Sequence, residues 1–371
     1  MAELFIGLMS GTSLDGVDGV LADFSAPVPA ILGHASAALP PPLKAELLAL
    51  NQPGYNELHR AALAANALMR VYADVVGQLL SKASISPFQI SAVGAHGQTV
   101  RHQPQLHDGS GYTLQLANPA LLAELTQIDV VADFRSRDVA AGGQGAPLVP
   151  VFHQAVFGKA GQTIAILNVG GMANLTVLGP KLPDDVLGFD CGPGNALMDA
   201  WCLRHLDQPF DANGAWAASG QIQPGLLQAM LAEPFFAAHP PKSTGRDLFN
   251  PKWLERQLGG YADLAPADVQ ATLLELTAKT CAKSVKSFGA ESQQLIVCGG
   301  GAFNTHLMGR LQALLPSLAV SPSDDHGLPA QQVEATAFAW LARKAIRREA
   351  LSLQSITGTR GARVLGAIYP A

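Results

Sequence analysis

The sequence predicts an α/β protein of two domains, and three observations carry that reading. A chain of 371 residues is too long for one ordinary hydrophobic core. Charged residues make up only 14% and hydrophobic ones 48%, the balance of a chain with well-buried sheets. Each half also opens on two β-prone runs joined by a glycine-rich tip. These runs are Leu4 to Met9 and Val17 to Phe24 in the first half, and Gln162 to Val169 and Met172 to Gly179 in the second.

After the opening hairpin, Ala30 to Leu39 reads as a third strand, and Pro40 to Pro42 interrupt the chain before a short helix ending near Asn51. From Gly54 to Lys82, Leu58, Ala62, Ala65, Met69, Tyr72, Val76 and Leu79 recur at spacings of three and four, the mark of a long amphipathic helix. Gln89 to Ala95 is a buried strand and Tyr112 to Ala117 another. Asn118-Pro119 opens a helix with a capping side chain and a proline at its first position, and Ile128 to Phe134 returns as a strand. The second half repeats this order. Strands starting at Gln162, Met172 and Asp185 lead to a helix over Gly194 to Leu206. A long helix over Ala265 to Phe288, a strand over Gln293 to Cys298, a helix after Asn304, a short strand near Leu318 and a helix from Pro329 to about Arg347 follow.

Residues 207–264, rich in Pro, Gly, Trp and Phe, are an insertion between the repeat elements, and inserts of this length in compact domains are often functional. Residues 350–371 lack periodicity and are expected to pack back on the first domain. The domains expected are therefore 1–138 plus about 350–371, and 139–349 with the insertion at about 207–264. Two such hairpins at the starts of two matching halves are the signature of two actin-like (RNase H-like) domains with an interdomain nucleotide cleft. Each domain then contributes one phosphate loop.

The net charge of -5, without a basic cluster longer than the helix end at Arg343 to Arg348, argues against nucleic acid or an anionic membrane as partner. Cys191, Cys202, Cys281 and Cys298 lie far apart and form no CxxC pair, so neither a disulfide framework nor a structural zinc site is expected. No apolar run has the length of a membrane span, and the N-terminus lacks the pattern of a signal peptide. A cytoplasmic enzyme is the expectation.

The first tip holds Ser10, Gly11, Thr12, Ser13, Leu14, Asp15 and Gly16, followed by Val17 and Asp18. Glycines let backbone N–H groups approach an anion, hydroxyls add donors, and Asp15 and Asp18 could hold the waters of a metal ion. The bland alternative is a decorated surface turn. A second tip with Gly170, Gly171 and Asn174 in the matching place favours a phosphate cradle, and the absence of a GxxxxGK[ST] motif excludes a P-loop. Leu295 to Cys298 runs into Gly299, Gly300 and Gly301, a backbone on which a flat adenine or ribose could rest, and Asn304 caps the helix beyond. Asp190 ends a strand and precedes a sharp turn into a helix, where its carboxylate can either accept a proton or cap that helix. His96, Gly97 and Gln98 follow one strand end, and Arg135 to Asp138 another. A lone histidine is more often structural, but together His96, Gln98, Arg135 and Asp138 read as a sugar site. Glu334, on the last long helix, is open to a solvated role or a metal one.

Eight stretches carry a resemblance: MSGTSLDGVD (Met9 to Asp18), GAHGQTV (Gly94 to Val100), DFRSRDVAAGGQGAPLVP (Asp133 to Pro150), NVGGMANLT (Asn168 to Thr176), FDCGPGN (Phe189 to Asn195), DANGAWAASG (Asp211 to Gly220), PPKSTGRDLFN (Pro240 to Asn250) and CGGGAFN (Cys298 to Asn304). In this order, over residue 5 to about 345, the chain resembles the anhydro-N-acetylmuramic acid kinase family. The resemblance implies an ATP-dependent, Mg²⁺-assisted enzyme of cell-wall recycling, active as a homodimer. It implies that the two tips bind the β- and γ-phosphates and Gly299 to Gly301 the adenosine. It makes Asp190 the general base and Arg135, with Arg137 as competitor, the partner of a muramyl carboxylate. It also suggests that the segment from Lys242 to Asp247 closes over the site. Cys191 stands where the family pattern has a threonine, and Phe303 where it has a histidine. The rival readings are a conventional sugar kinase, a nucleotide-gated actin-like binding protein and an ATP-independent anhydrosugar hydrolase.

Overall fold

The computed structural model describes residues 2–11, 14–181, 185–261 and 263–371. Thr12 and Ser13, both expected at the first phosphate tip, lie outside the described residues. In chain order the elements begin with β1 (Leu4–Met9), β2 (Gly16–Asp23), β3 (Ala30–Ala38), α1 (Pro41–Ala49), α2 (Glu57–Ala83), β4 (Ile90–Ala95), β5 (Gln98–Pro104), β6 (Gly111–Leu116), α3 (Pro119–Thr126), β7 (Val130–Ala132), α4 (Ser136–Ala140) and α5 (Pro150–Phe157). They continue with β8 (Ile164–Val169), β9 (Met172–Leu178), β10 (Val186–Pro193), α6 (Ala196–Leu206), α7 (Ala215–Ser219), α8 (Pro224–Leu231), α9 (Pro251–Leu258), α10 (Pro266–Phe288), β11 (Gln294–Cys298), α11 (Thr305–Leu314) and β12 (Ala319–Pro322). The chain closes with α12 (Val333–Ile346), α13 (Gln354–Thr357) and β13 (Ala367–Tyr369).

The chain divides into two compact units, one running up to Val156 and resuming at Gln332–Ala371, the other spanning Phe157–Gln331. This division differs from the expected one at both edges: residues 139–156 stay with the first unit, and α12 joins it by packing on β1 and β4. Gly7 of β1 and Gly94 of β4 are register partners on neighbouring strands. A Cβ on Gly7 would collide with the backbone of Ala335 and Ala339, and one on Gly94 with that of Phe338. Two glycines side by side thus make a flat patch on which the helix backbone rests, and this patch, not the helix's own periodicity, decides which sheet α12 covers.

The first unit's main sheet has the order β13-β7-β4-β1-β2-β3. Its first three strands are antiparallel, and β4 and β7 run parallel to β1. The second unit's sheet has the order β10-β9-β8-β11-β12, with β8, β9 and β10 antiparallel and β11 and β12 parallel to β8. In both, the strands in chain order stand third, second, first, fourth, fifth, which is the actin-like, ribonuclease H-like arrangement. Each unit has its own core, built around α2 and β1 in the first and around α10 and β8 in the second.

The long helix α2 buries Ala65, Met69, Tyr72, Val76 and Leu79 as its spacing predicts, whereas Leu58 in its first turn is 90% exposed. Asn118 caps α3 by accepting from the Leu121 N–H, with Pro119 at the first position, and Asn304 caps α11 by accepting from Leu307 N–H. The small sheet of β5 and β6 contains a strand, β5, that the sequence reading left out: its run of Arg101, His102, Gln103 and Pro104 has no apolar alternation. As expected, the tail returns to the first unit, where β13 pairs with β7. The insertion at 207–264 holds three short helices, α7, α8 and α9, joined by irregular segments. Among the described residues no helix is long and apolar enough to cross a membrane.

Candidate active site

In the first unit the tip between β1 and β2 is bent by Leu14, whose φ of 58° is unusual for a branched residue and whose side chain is buried in the core. The tip's base is tied to the start of β5. Ser10 Oγ donates to the Gly97 carbonyl (2.9 Å) and shares a hydrogen bond with the Tyr72 hydroxyl (2.9 Å), while Gln98 Nε2 donates to the Gly11 carbonyl (3.1 Å). Gln98 Oε1 is buried with no hydrogen-bond partner among the described residues. Asp15 is largely exposed at 4.0 Å from Lys44. Burial pushes the Asp18 carboxyl up, against the pull of His34 at 3.5 Å.

His96 is buried, and both ring nitrogens are engaged. Arg135 donates Nε–H (3.3 Å) and Nη2–H (3.0 Å) toward Nε2, so Nε2 carries a lone pair. The proton then sits on Nδ1, which faces the Ser10 carbonyl at 3.3 Å. Burial first, then the Arg135 charge, holds this imidazole down at about 3. His96 is thus a fixed neutral link between Arg135 and the first tip. Arg135 also donates Nη1–H to Gly145 O (2.8 Å). Asp138, expected at the sugar, is fully buried. Its Oδ2 accepts from Gly145 N–H (2.7 Å) and its Oδ1 from the Thr357 hydroxyl (2.8 Å), so it fastens the 142–145 loop and the C-terminal segment together. Of the four side chains expected to converge, His96, Gln98 and Arg135 surround the tip, while Asp138 turns into the protein.

In the second unit, Asn168 of β8, Asn174 of β9 and Asp190 of β10 are successive register partners, so three polar side chains stand level across three strands. The Gly170 and Gly171 carbonyls accept from the backbone N–H groups of Gly194, Asn195 and Ala196 at 2.9 to 3.1 Å. Since C=O and N–H of a trans peptide point opposite ways, the N–H groups of Gly171 and Met172 face away from α6, as a phosphate cradle needs. Asn174 Oδ1 is buried without a partner among the described residues. Gly299 has φ 78°, and a Cβ there would meet Asn168 Oδ1 at 2.5 Å, while one on Gly301 would meet Val169 at 2.5 Å. Gly300 is exposed, and a Cβ there would touch only Asn195 Nδ2 at 3.6 Å. Two of the three glycines serve packing, and the middle one faces outward.

β10 does not end at Asp190, as the sequence suggested, but runs on to Pro193 through a bulge in which Cys191 is the extra residue between Asp190 and Gly192. Bulges re-aim side chains, and this one separates the two neighbours. Cys191 is buried beside Cys281, whose thiol is pushed well above its usual range by that contact and then by burial. Asp190 is 6% exposed and does not cap α6, whose cap position is Asn195. The insertion holds it instead: Asp190 N–H donates to Lys242 O (3.1 Å), and Thr244 N–H donates to Asp190 Oδ2 (2.8 Å). The strap from Lys242 to Thr244 is anchored by Lys242 Nζ, which donates to Phe235 O (3.1 Å) and lies 4.5 Å from the Phe235 ring centre. Phe303 is 49% exposed just beyond the glycines.

A family model described as anhydro-N-acetylmuramic acid kinase matches residues 3–371. The chain belongs to the anhydro-N-acetylmuramic acid kinase family. It is 65% identical to the anhydro-N-acetylmuramic acid kinase of Albidiferax ferrireducens, with 100% of both chains covered. It is 64% identical to that of Variovorax paradoxus, over 100% of this chain and 99% of the other. Among solved structures, the activator of the 2-hydroxyisocaproyl-CoA dehydratase from Clostridium difficile with bound ADPNP aligns over 94% of this chain and 96% of its own, at 13% identity and a TM-score of 0.47. As a member of the anhydro-N-acetylmuramic acid kinase family, the protein is a phosphotransferase that takes an alcohol group of a sugar as acceptor. Tyr72, hydrogen-bonded to Ser10, is a residue of this family member's site region that the sequence did not single out for chemistry. Tyr72 sat among core positions of α2, and only its hydroxyl, needing a partner when buried, hinted otherwise.

Proposed function

We propose that the protein uses ATP and water to convert 1,6-anhydro-N-acetylmuramic acid into N-acetylmuramic acid 6-phosphate and ADP, as a cytoplasmic homodimer serving cell-wall recycling. Asp190 takes a proton from a water whose oxygen bonds to the anomeric carbon. The C1–O6 bond breaks, and O6 accepts the γ-phosphoryl group as ADP leaves. The observation that carries this reading is a nearly buried carboxylate, re-aimed by a bulge and level with the second glycine tip.

Gly11 to Asp18 and Gly170, Gly171 and Asn174 would hold the phosphates, Gly300 with its neighbours Gly299 and Gly301 the adenosine, and Arg135 the muramyl carboxylate. Gln98 Oε1 is the neighbouring acceptor for a sugar hydroxyl. His96 and Asp138 act through Arg135 and its loop. Mg²⁺ takes one or two carboxylates beside substrate phosphates and keeps several waters. Asp15 and Asp18 fit that demand, as two carboxylates of one tip whose side chains are both open to the solvent from which the ion's waters come. When bound, the ion supplies charge neutralisation to the phosphates.

The test is mass spectrometry of the product formed from Mg-ATP and the anhydrosugar in ¹⁸O water. The expected product carries phosphate and one heavy oxygen. Phosphorylation without heavy oxygen, read before anomeric exchange proceeds, would make the protein a conventional sugar kinase.

A further inference from the structure

We infer that the Thr244 hydroxyl is a second hydrogen-bonding partner of the water that Asp190 deprotonates. The inference rests on the reading of Asp190 as base. It starts from the only polar atom of the strap that is both buried and without a hydrogen-bond partner among the described residues, Thr244 Oγ1. The same residue's N–H holds Asp190 Oδ2 at 2.8 Å. Covalent geometry keeps a threonine Oγ1 within roughly 4 Å of its own backbone nitrogen, which places the hydroxyl next to the nitrogen that holds the carboxylate.

A carboxylate alone fixes one hydrogen of an attacking water and leaves the molecule free to turn about that bond. A hydroxyl that accepts the other hydrogen removes the rotation and points the oxygen lone pair in one direction. The Lys242 carbonyl holds the Asp190 backbone, the Thr244 N–H holds its carboxylate, and the Lys242 side chain clamps the strap to Phe235. The insertion thus supplies both the frame of the base and the second contact to its substrate water.

A hydroxyl buried without a partner costs stability, and an isosteric valine would not bear that cost. Stability and activity should therefore move in opposite directions. Thr244→Val keeps the backbone N–H and the shape. Its kcat with Mg-ATP and the anhydrosugar is expected to fall about tenfold or more. The KM for ATP should be unchanged and the Tm equal or higher, and Thr244→Ser should restore most of kcat. Wild-type kcat in Thr244→Val would overturn the inference, as would a joint fall of kcat and Tm that serine fails to restore. Asp190→Asn, assayed in parallel, is expected to abolish turnover and to keep ATP binding. If that variant retains activity, the reading of the base fails. If it is inactive while Thr244→Val is not, only the present inference fails.

Discussion

The three consecutive glycines after β11 separate packing from ligand contact at single positions. Gly299→Ala and Gly301→Ala each drive a Cβ into Asn168 or Val169 at 2.5 Å and should lower the Tm. Gly300→Ala should keep the wild-type Tm and raise the KM for ATP several-fold, which thermal melts and steady-state kinetics read independently. Equal loss of Tm in all three would remove Gly300 from the nucleotide site. At this scale the sequence was informative where chemistry resides in residue type, as for Asp190, Arg135 and the glycines. It was silent where a side chain's direction decides. Asp138 reads like a site acid, yet both its oxygens are taken up inside the fold. His96 reads as part of a sugar site, yet both its ring nitrogens are taken up by Arg135 and Ser10.

At the scale of elements, strands and long helices were legible because their periodicity is local. The partner of a helix is not. The last long helix was expected with its sequence neighbours, whereas two paired glycines in β1 and β4 receive it. Gly94→Ala would press a methyl group into the backbone of α12, which cannot turn aside as a side chain would. A loss at the upper end of roughly 1–3 kcal/mol is expected, measured by urea unfolding. A neutral result would mean that α12 can shift along its patch. β5 escaped notice for a related reason: its residues carry no alternation, and its pairing with β6 lies along its backbone.

At the scale of the whole molecule, acid should weaken the fold. His96 and His153 are held at about 3 and His102 at about 4, burial being the first cause in each. Unfolded histidines take up protons near 6.5, so between pH 6.5 and about 3 to 4 the unfolded chain binds more protons than the folded one. These groups therefore contribute stability above pH 6.5 that is lost as pH falls through that window. Asp138, whose carboxyl burial raises, works in the opposite direction. A Tm that falls steadily from pH 6.5 to 4.5 is expected in calorimetry, and a flat profile would show that the imidazoles accept protons within the fold.

The excursion of the chain into its second unit and its return at Gln332 also sets an order in time. Residues leave the ribosome in sequence, so the unit spanning Phe157–Gln331 is available whole while β1 and β4 still await the helix that seals their glycine patch. The portion made first is finished last, and until α12 and β13 emerge the nascent chain carries an uncovered sheet face and the unpaired edge of β7.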